Sequence, residues 1–169
     1  MKEINLLDLP EARLIPAEQM VEHLVENHYP ELKDYPIHAQ LRLERYDSEL
    51  IEVNLSVGKE FGFLYLILGH FPENIEEHPD SESILRGGIA HELSHVVLGH
   101  CDAPLFSKMT KLPEIGKNFL EFFEKETDME TIKRGLGRDL YNSALYMEQV
   151  NGNIGKVNYT SEEIIKILE

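Results

Sequence analysis

Residues 89–100 read IAHELSHVVLGH, and the rest of the chain is organised around this stretch. It contains the pattern His-Glu-x-x-His, and its apolar residues recur at helical spacing. Because an α-helix turns by about 100° per residue, His91 and His95 project from nearly the same side. Both imidazoles can therefore reach one metal ion, and Glu92 lies directly beside them.

The same helix is predicted to have a core face opposite the histidines. Around the helical wheel, Ile84, Gly88 and Leu98 lie near the two imidazoles. The side predicted to face the core carries Leu85, Ile89, Leu93, Val96 and Val97.

Zinc suits two imidazoles with a neighbouring carboxylate. It binds neutral imidazole nitrogens, and a catalytic zinc site keeps one position open for water. Zinc lowers the pKa of bound water to about 7, so Glu92 is predicted to act as a general base. It would take the proton of that water and return it to a leaving amine, which is the hydrolysis of an amide bond.

A catalytic zinc ion usually has three protein ligands, so one more must come from elsewhere in the chain. Residues 119–130 read FLEFFEKETDME and predict a second helix, on which Glu124 and Asp128 share a face. Glu124 is the predicted third ligand, with Glu121 as the alternative on the same face. Asp128 is predicted to accept a hydrogen bond from the second nitrogen of a ligand imidazole.

These residues resemble the signature of the gluzincin metallopeptidases, in which a His-Glu-x-x-His helix is followed by a Glu-x-x-x-Asp helix. The resemblance covers about residues 60–140. The chain is most similar to the HtpX-like peptidases and their small soluble relatives, the minigluzincins, whose second motif commonly reads Glu-x-x-Ala-Asp. Thr127 stands where that alanine is usual. The resemblance implies a zinc metallopeptidase with this set of residues: ligands His91, His95 and Glu124, general base Glu92 and supporting carboxylate Asp128.

Composition predicts a soluble, single-domain protein over residues 1–169, with a core at about 35–150. Its net charge of −15 disfavours nucleic acid or an anionic membrane as a partner, which leaves a peptide or protein substrate. The longest apolar run, residues 61–69, is too short to span a bilayer, and the first ten residues do not resemble a signal peptide. With one cysteine, Cys101, a cytoplasmic location is expected.

The predicted fold class is α+β and zincin-like. A three-stranded antiparallel sheet is expected to pack on the active-site helix and the glutamate-ligand helix, with flanking N- and C-terminal helices. Alternating or continuous apolar patterns place its strands at residues 37–44, 51–57 and 61–68. In gluzincins an edge strand of such a sheet holds the substrate backbone, so the peptide is expected to bind there.

Other segments are predicted from helical spacing, proline, glycine and capping residues. The expectations are a helix at 11–29, a loop at 71–83 with Ser81 or Ser83 capping the active-site helix, irregular structure at 101–118, a break at Gly135 and Gly137, and a terminal helix at 160–169 capped by Thr160 or Ser161.

Several alternatives accompany this interpretation. His100 does not complete the metzincin pattern, because that pattern needs glycine at position 98 and histidine at position 101; a continuing helix would turn His100 towards the core. The rival functions are a zinc-binding regulatory or latent module, with residues 156–169 covering the cleft, and a structural domain whose metal has a fourth protein ligand. Candidates for stabilising a tetrahedral intermediate are Arg134, Arg138, Tyr141 and Tyr146.

Overall fold

A computed structural model describes residues 13–44, 54–60, 64–101, 113–151 and 158–169. Short 3₁₀ turns at Pro30–Leu32 and Glu73–Glu77 and a π-helical turn at Ile132–Leu136 lie between longer elements. In chain order, the strands and α-helices are β1 (Arg13–Pro16), α1 (Glu18–His28), β2 (Ile37–Glu44), β3 (Asn54–Glu60), β4 (Leu64–Pro72), α2 (Ser81–Val97), α3 (Pro113–Thr131), α4 (Gly137–Asn151) and α5 (Ser161–Leu168).

The four strands form one mixed sheet in the order β1-β2-β4-β3. Its central pair is parallel, with Ile37 of β2 opposite Tyr65 of β4, and both outer pairs are antiparallel. The predicted fold class, α+β and zincin-like on a three-stranded antiparallel sheet, is therefore wrong in the size and pairing of its sheet. The described sheet has four strands, and β4 inserts between β2 and β3 instead of continuing a meander.

The N-terminal helix is shorter than predicted. Residues 13–16, expected to be helical, form β1 and pair with β2, while residues 11 and 12 lie outside the described residues. A proline disfavours helical backbone at the residue before it, so Ile15 stays extended before Pro16. Helix α1 then begins at Glu18 and buries Val21 and Leu24.

Helix α2 runs through the centre of the molecule. Its predicted core residues Leu85, Ile89, Leu93 and Val96 are buried, and so is much of the histidine side, because α3 and α4 also pack against this helix. An added Cβ at Gly87 would lie 2.2 Å from the carbonyl oxygen of Asp139, so α4 approaches here closely enough to require glycine. The predicted serine caps are wrong: Asp80 is the N-cap residue and makes no side-chain capping bond.

Helix α3 begins at Pro113, within the segment predicted to be irregular; residues 102–112 of that segment lie outside the described part. Proline is well suited to the first helical position, since the amide hydrogen it lacks would have no helical partner there. The predicted break is present at Gly135, whose φ is 84°. None of the described helices has the length and apolar character needed to cross a membrane.

The C-terminal helix α5 is confirmed, together with its capping box. Thr160 accepts a hydrogen bond from the backbone N–H of Glu163, whose carboxylate accepts one from the backbone N–H of Thr160. Ser161 donates to Glu148 of α4 from both its backbone N–H and its hydroxyl, and Ile164 is fully buried. These contacts fix α5 against α4.

Candidate metal site

Helices α2 and α3 bring three of the predicted site residues together. Nε2 of His91 lies 3.1 Å from Nε2 of His95 and 3.1 Å from Oε2 of Glu124, and His95 Nε2 lies 3.5 Å from the same carboxylate oxygen. Within the described ranges, no other group of three or more His, Cys, Asp or Glu side chains converges in this way.

The spacing of these three atoms suits a zinc ion. Bonds of about 2.0–2.1 Å in a tetrahedral arrangement place neighbouring ligand atoms about 3.3–3.4 Å apart. The observed separations of 3.1, 3.1 and 3.5 Å lie on either side of that value. Two imidazoles and a carboxylate are also the ligand types of known catalytic zinc sites.

Asp128 determines which nitrogen of His91 faces the other two residues. Its Oδ1 lies 2.8 Å from His91 Nδ1, and its Oδ2 accepts a hydrogen bond of 2.8 Å from the backbone N–H of Tyr159. A carboxylate can only accept hydrogen bonds, so Nδ1 of His91 carries the proton and donates the hydrogen bond to Asp128. In neutral His91 the lone pair of Nε2 then faces the carboxylate oxygen of Glu124. This contact between two acceptors is unfavourable unless a proton or a cation lies between them.

The pKa values of His91 and Glu124 are both shifted in the direction that favours a positive charge between the two groups. Burial lowers the pKa of His91, but hydrogen bonds to Asp128 and Glu124 outweigh it and hold that pKa well above its usual value. Burial raises the pKa of Glu124, but hydrogen bonds from His91 and His95 hold it well below its usual range. In the absence of an ion, a proton on His91 satisfies the site; a bound cation would replace it.

His95 has different partners at its second ring nitrogen. Its Nδ1 lies 2.9 Å from Nδ1 of His100 and 3.2 Å from the hydroxyl of Thr127. That hydroxyl donates to the backbone carbonyl of Phe123 at 2.8 Å. Burial lowers the pKa of His95, and the positive charge of His91 adds to the effect, so the neutral imidazole is favoured.

His100 reaches this position through a turn at the end of α2. Gly99 has a φ of 73°, the N–H of Gly99 bonds to the carbonyl of Val96, and the N–H of His100 bonds to the carbonyl of His95. This is a Schellman motif, and it turns the chain back along the helix. The expectation for His100 assumed a continuing helix, but α2 ends at Val97, and His100 is buried against His95. Gly99 was the signal in the sequence that could have revealed the turn.

Glu92, the predicted general base, is buried on α2, and its negative charge raises the pKa of the adjacent His91. Glu121, the alternative ligand, lies on the exposed side of α3 and pairs with Lys125 at 2.9 Å. The structure therefore favours Glu124 over Glu121 as the third residue of the group.

The candidates for stabilising a tetrahedral intermediate make other contacts. Arg134 pairs with Glu31 and Glu130, and its guanidinium lies over the ring of Tyr29. The guanidinium of Arg138 lies over the ring of Tyr141. Tyr146 packs edge-on against His78.

The segment before α5 also contacts this group. Nδ2 of Asn158 donates to Oε2 of Glu124 at 3.1 Å, the same oxygen that faces both histidines. Together with the bond from Tyr159 to Asp128, this contact places residues 158–159 directly beside α3.

A second polar cluster joins Tyr29, which follows α1, to α2 and α3 and consists of hydroxyl groups. The phenol of Tyr29 donates to the carbonyl of Ala90 at 2.7 Å and lies 3.0 Å from the hydroxyl of Ser94. The Ser94 hydroxyl lies 2.9 Å from that of Thr131, which donates to the carbonyl of Thr127. Burial raises the pKa of Tyr29 to about 12.

Comparison with known proteins adds no assignment: no protein-family model and no curated protein matched this sequence.

Proposed function

We propose that the protein is a zinc-dependent metallopeptidase of the gluzincin type, which hydrolyses peptide bonds with Glu92 as the general base. The observation that carries this proposal is the convergence of His91, His95 and Glu124 within 3.1 to 3.5 Å of one another. Glu92 adds a buried carboxylate next to the first of them.

Each residue has a distinct part in this mechanism. His91, His95 and Glu124 would hold the ion, which would supply Lewis-acid chemistry to the site. Asp128 keeps the proton of His91 on Nδ1 and leaves Nε2 available as a ligand. Glu92 accepts the proton of the attacking water and delivers it to the leaving amine.

The proposed substrate is an extended peptide or a flexible segment of a protein. Among the described strands, β3 is at one edge of the sheet and contacts α2, the helix that carries the histidines. An edge strand presents unpaired backbone groups, to which an extended peptide can add as a further strand. The net charge of −15 favours neutral or basic peptides. A cytoplasmic location remains part of the proposal and rests on the single cysteine.

The alternative is a zinc-binding regulatory or latent module with little or no catalytic activity. The contact between Asn158 and the proposed ligand oxygen of Glu124 favours it, because an amide hydrogen-bonded to this oxygen would compete with any other group that approaches it. Asn158→Ala removes the amide and leaves the backbone bond from Tyr159 to Asp128 in place. An increase in cleavage would support latency, whereas unchanged or lower cleavage would argue against it.

The proposal is tested by measuring zinc content and peptide hydrolysis on the same preparation. The wild type is expected to bind one zinc per chain and to cleave an unstructured protein such as casein. Glu92→Gln should retain zinc and lose at least about 100-fold in cleavage rate, because it lacks a proton acceptor. Glu124→Ala should lose zinc.

Glu121→Ala is the matched control, since it removes a glutamate from the same helix that the structure places outside the group. It should keep both zinc and activity. A wild type that binds no zinc, or a Glu92→Gln variant as active as the wild type, would overturn the proposal. Zinc binding without cleavage in the wild type and in Asn158→Ala would establish a binding module instead.

A further inference from the structure

The surroundings of His95 show an arrangement that the His-Glu-x-x-His and Glu-x-x-x-Asp motifs do not contain. Two groups face its Nδ1: the Nδ1 nitrogen of His100 at 2.9 Å and the hydroxyl oxygen of Thr127 at 3.2 Å. Because the hydroxyl of Thr127 donates its own hydrogen to the carbonyl of Phe123, its oxygen is free to accept.

These contacts favour one tautomer of His95. If Nδ1 carries the proton, it donates to His100 and Thr127, and Nε2 keeps its lone pair on the side of His91 and Glu124. The opposite tautomer would place a proton on Nε2, where a metal ion would bind. The arrangement of acceptors therefore favours the form of His95 that can be a ligand.

His100 is itself held in place on two sides. Its Nε2 lies 3.3 Å from Oε2 of Glu126, so a protonated Nε2 donates a hydrogen bond to this carboxylate, and Nδ1 of the neutral ring is left unprotonated. Its ring contacts Phe123 edge-on, with ring centroids 4.3 Å apart. His100 is buried, and the Schellman turn at Gly99 fixes its backbone.

We propose that His100 is a positioning residue for the metal site, which together with Thr127 and Glu126 holds His95 in its metal-binding tautomer and orientation. The inference rests on the proposed zinc site. It assigns to His95 a support made of an imidazole and a hydroxyl, in contrast to the carboxylate that supports His91.

The test measures zinc affinity by competition with a chelator in two variants of similar shape, His100→Leu and His100→Asn. The leucine variant has no acceptor for His95, so its zinc affinity should fall about 10- to 100-fold, the usual effect of losing such a partner. Asparagine can place its carbonyl oxygen near the position of Nδ1, so His100→Asn should restore much of that affinity.

Two further readouts separate positioning from general stability. The visible absorption of the Co²⁺-substituted protein reports ligand geometry; its band should shift in His100→Leu and return towards wild type in His100→Asn. The melting temperature of the metal-free protein shows whether a variant is simply less stable. His23→Leu, which changes an exposed histidine on α1, is the control and should leave zinc affinity and the Co²⁺ spectrum unchanged.

The possible results lead to different conclusions. If the wild type binds no zinc, the proposed function itself fails. If the wild type binds zinc and His100→Leu binds it equally well, only the role of His100 is disproved. If His100→Leu does not fold, His100→Phe retains the ring against Phe123 and decides the question by the same measurement. If that variant also fails to fold, the near-isosteric Thr127→Val decides it: weaker zinc binding supports the proposal, and unchanged binding overturns it.

Discussion

Two buried polar clusters lie between α2 and α3, and they differ in how their donors and acceptors match. In the hydroxyl cluster of Tyr29, Ser94 and Thr131, hydroxyl groups donate to backbone carbonyls or to one another. In the histidine cluster, two Nε2 atoms and a carboxylate oxygen face one another at 3.1 to 3.5 Å. The first cluster is complete as it stands, whereas the second requires a proton or a cation. This mismatch of acceptors, more than burial or polarity, distinguishes the candidate site.

Among variants that leave the three proposed ligands and His100 in place, the largest expected effect on zinc comes from Asp128→Asn in the histidine cluster. The carboxylate accepts from both His91 Nδ1 and the backbone N–H of Tyr159, and an amide has only one oxygen with which to replace it. Zinc affinity should fall about 10- to 100-fold, measured by competition with a chelator. The matched change in the hydroxyl cluster, Ser94→Ala, should instead lower the free energy of unfolding by about 1–3 kcal/mol and leave zinc affinity unchanged. Equal effects of both variants on zinc would remove the distinction between the clusters.

A pH titration tests the hydroxyl cluster on its own. Burial raises the pKa of Tyr29 from 10.0 to about 12 in the folded protein, so the folded state holds this proton more tightly than the unfolded state. The contribution of the group to stability is therefore fully present below pH 10 and is lost as the pH rises towards 12. The loss should be about 2 kcal/mol, measured as the difference in urea unfolding between the wild type and Tyr29→Phe. A difference that is independent of pH in this range would show that the phenol is not held as described.

The smallest expected effect concerns the turn that joins α2 to His100. Gly99 has a φ of 73°, so Gly99→Ala should lower the free energy of unfolding by about 1 kcal/mol. Asparagine tolerates this backbone conformation better than alanine, so Gly99→Asn should cost less. Urea denaturation of the three proteins gives the comparison, and an alanine variant as stable as the wild type would contradict the assignment of the turn.

The histidine cluster could be predicted well from sequence because its geometry is local. His91 and His95 are related by one helical turn, and so are Glu124 and Asp128, so the helical period alone places each pair on one face. The cluster then forms once α2 and α3 pack with these two faces opposite each other. Their roles as ligands and as a supporting carboxylate remain predictions. The position of His100 does not follow from the helical period, because it depends on where α2 ends, and the turn at Gly99 sets that end.

The sheet could not be predicted in the same way. The alternation in residues 37–44 correctly predicted strand β2, since a period of two defines the faces of a strand. It does not define the neighbours of that strand, and the assumption that consecutive strands pair placed β3 beside β2. The structure instead pairs β2 with β4 in parallel over the whole length of β2, from Ile37 opposite Tyr65 to Glu44 opposite Pro72.

The bond from Tyr159 to Asp128 comes from the backbone, so any residue except proline can supply it. Substitutions at position 159 can therefore accumulate without removing this support, whereas an insertion or deletion between Tyr159 and Ser161, where α5 is fixed to Glu148, would displace the N–H from the carboxylate. Among related sequences, this constraint would appear as a conserved spacing rather than as a conserved amino acid, and an alignment scored by residue identity alone would not detect it.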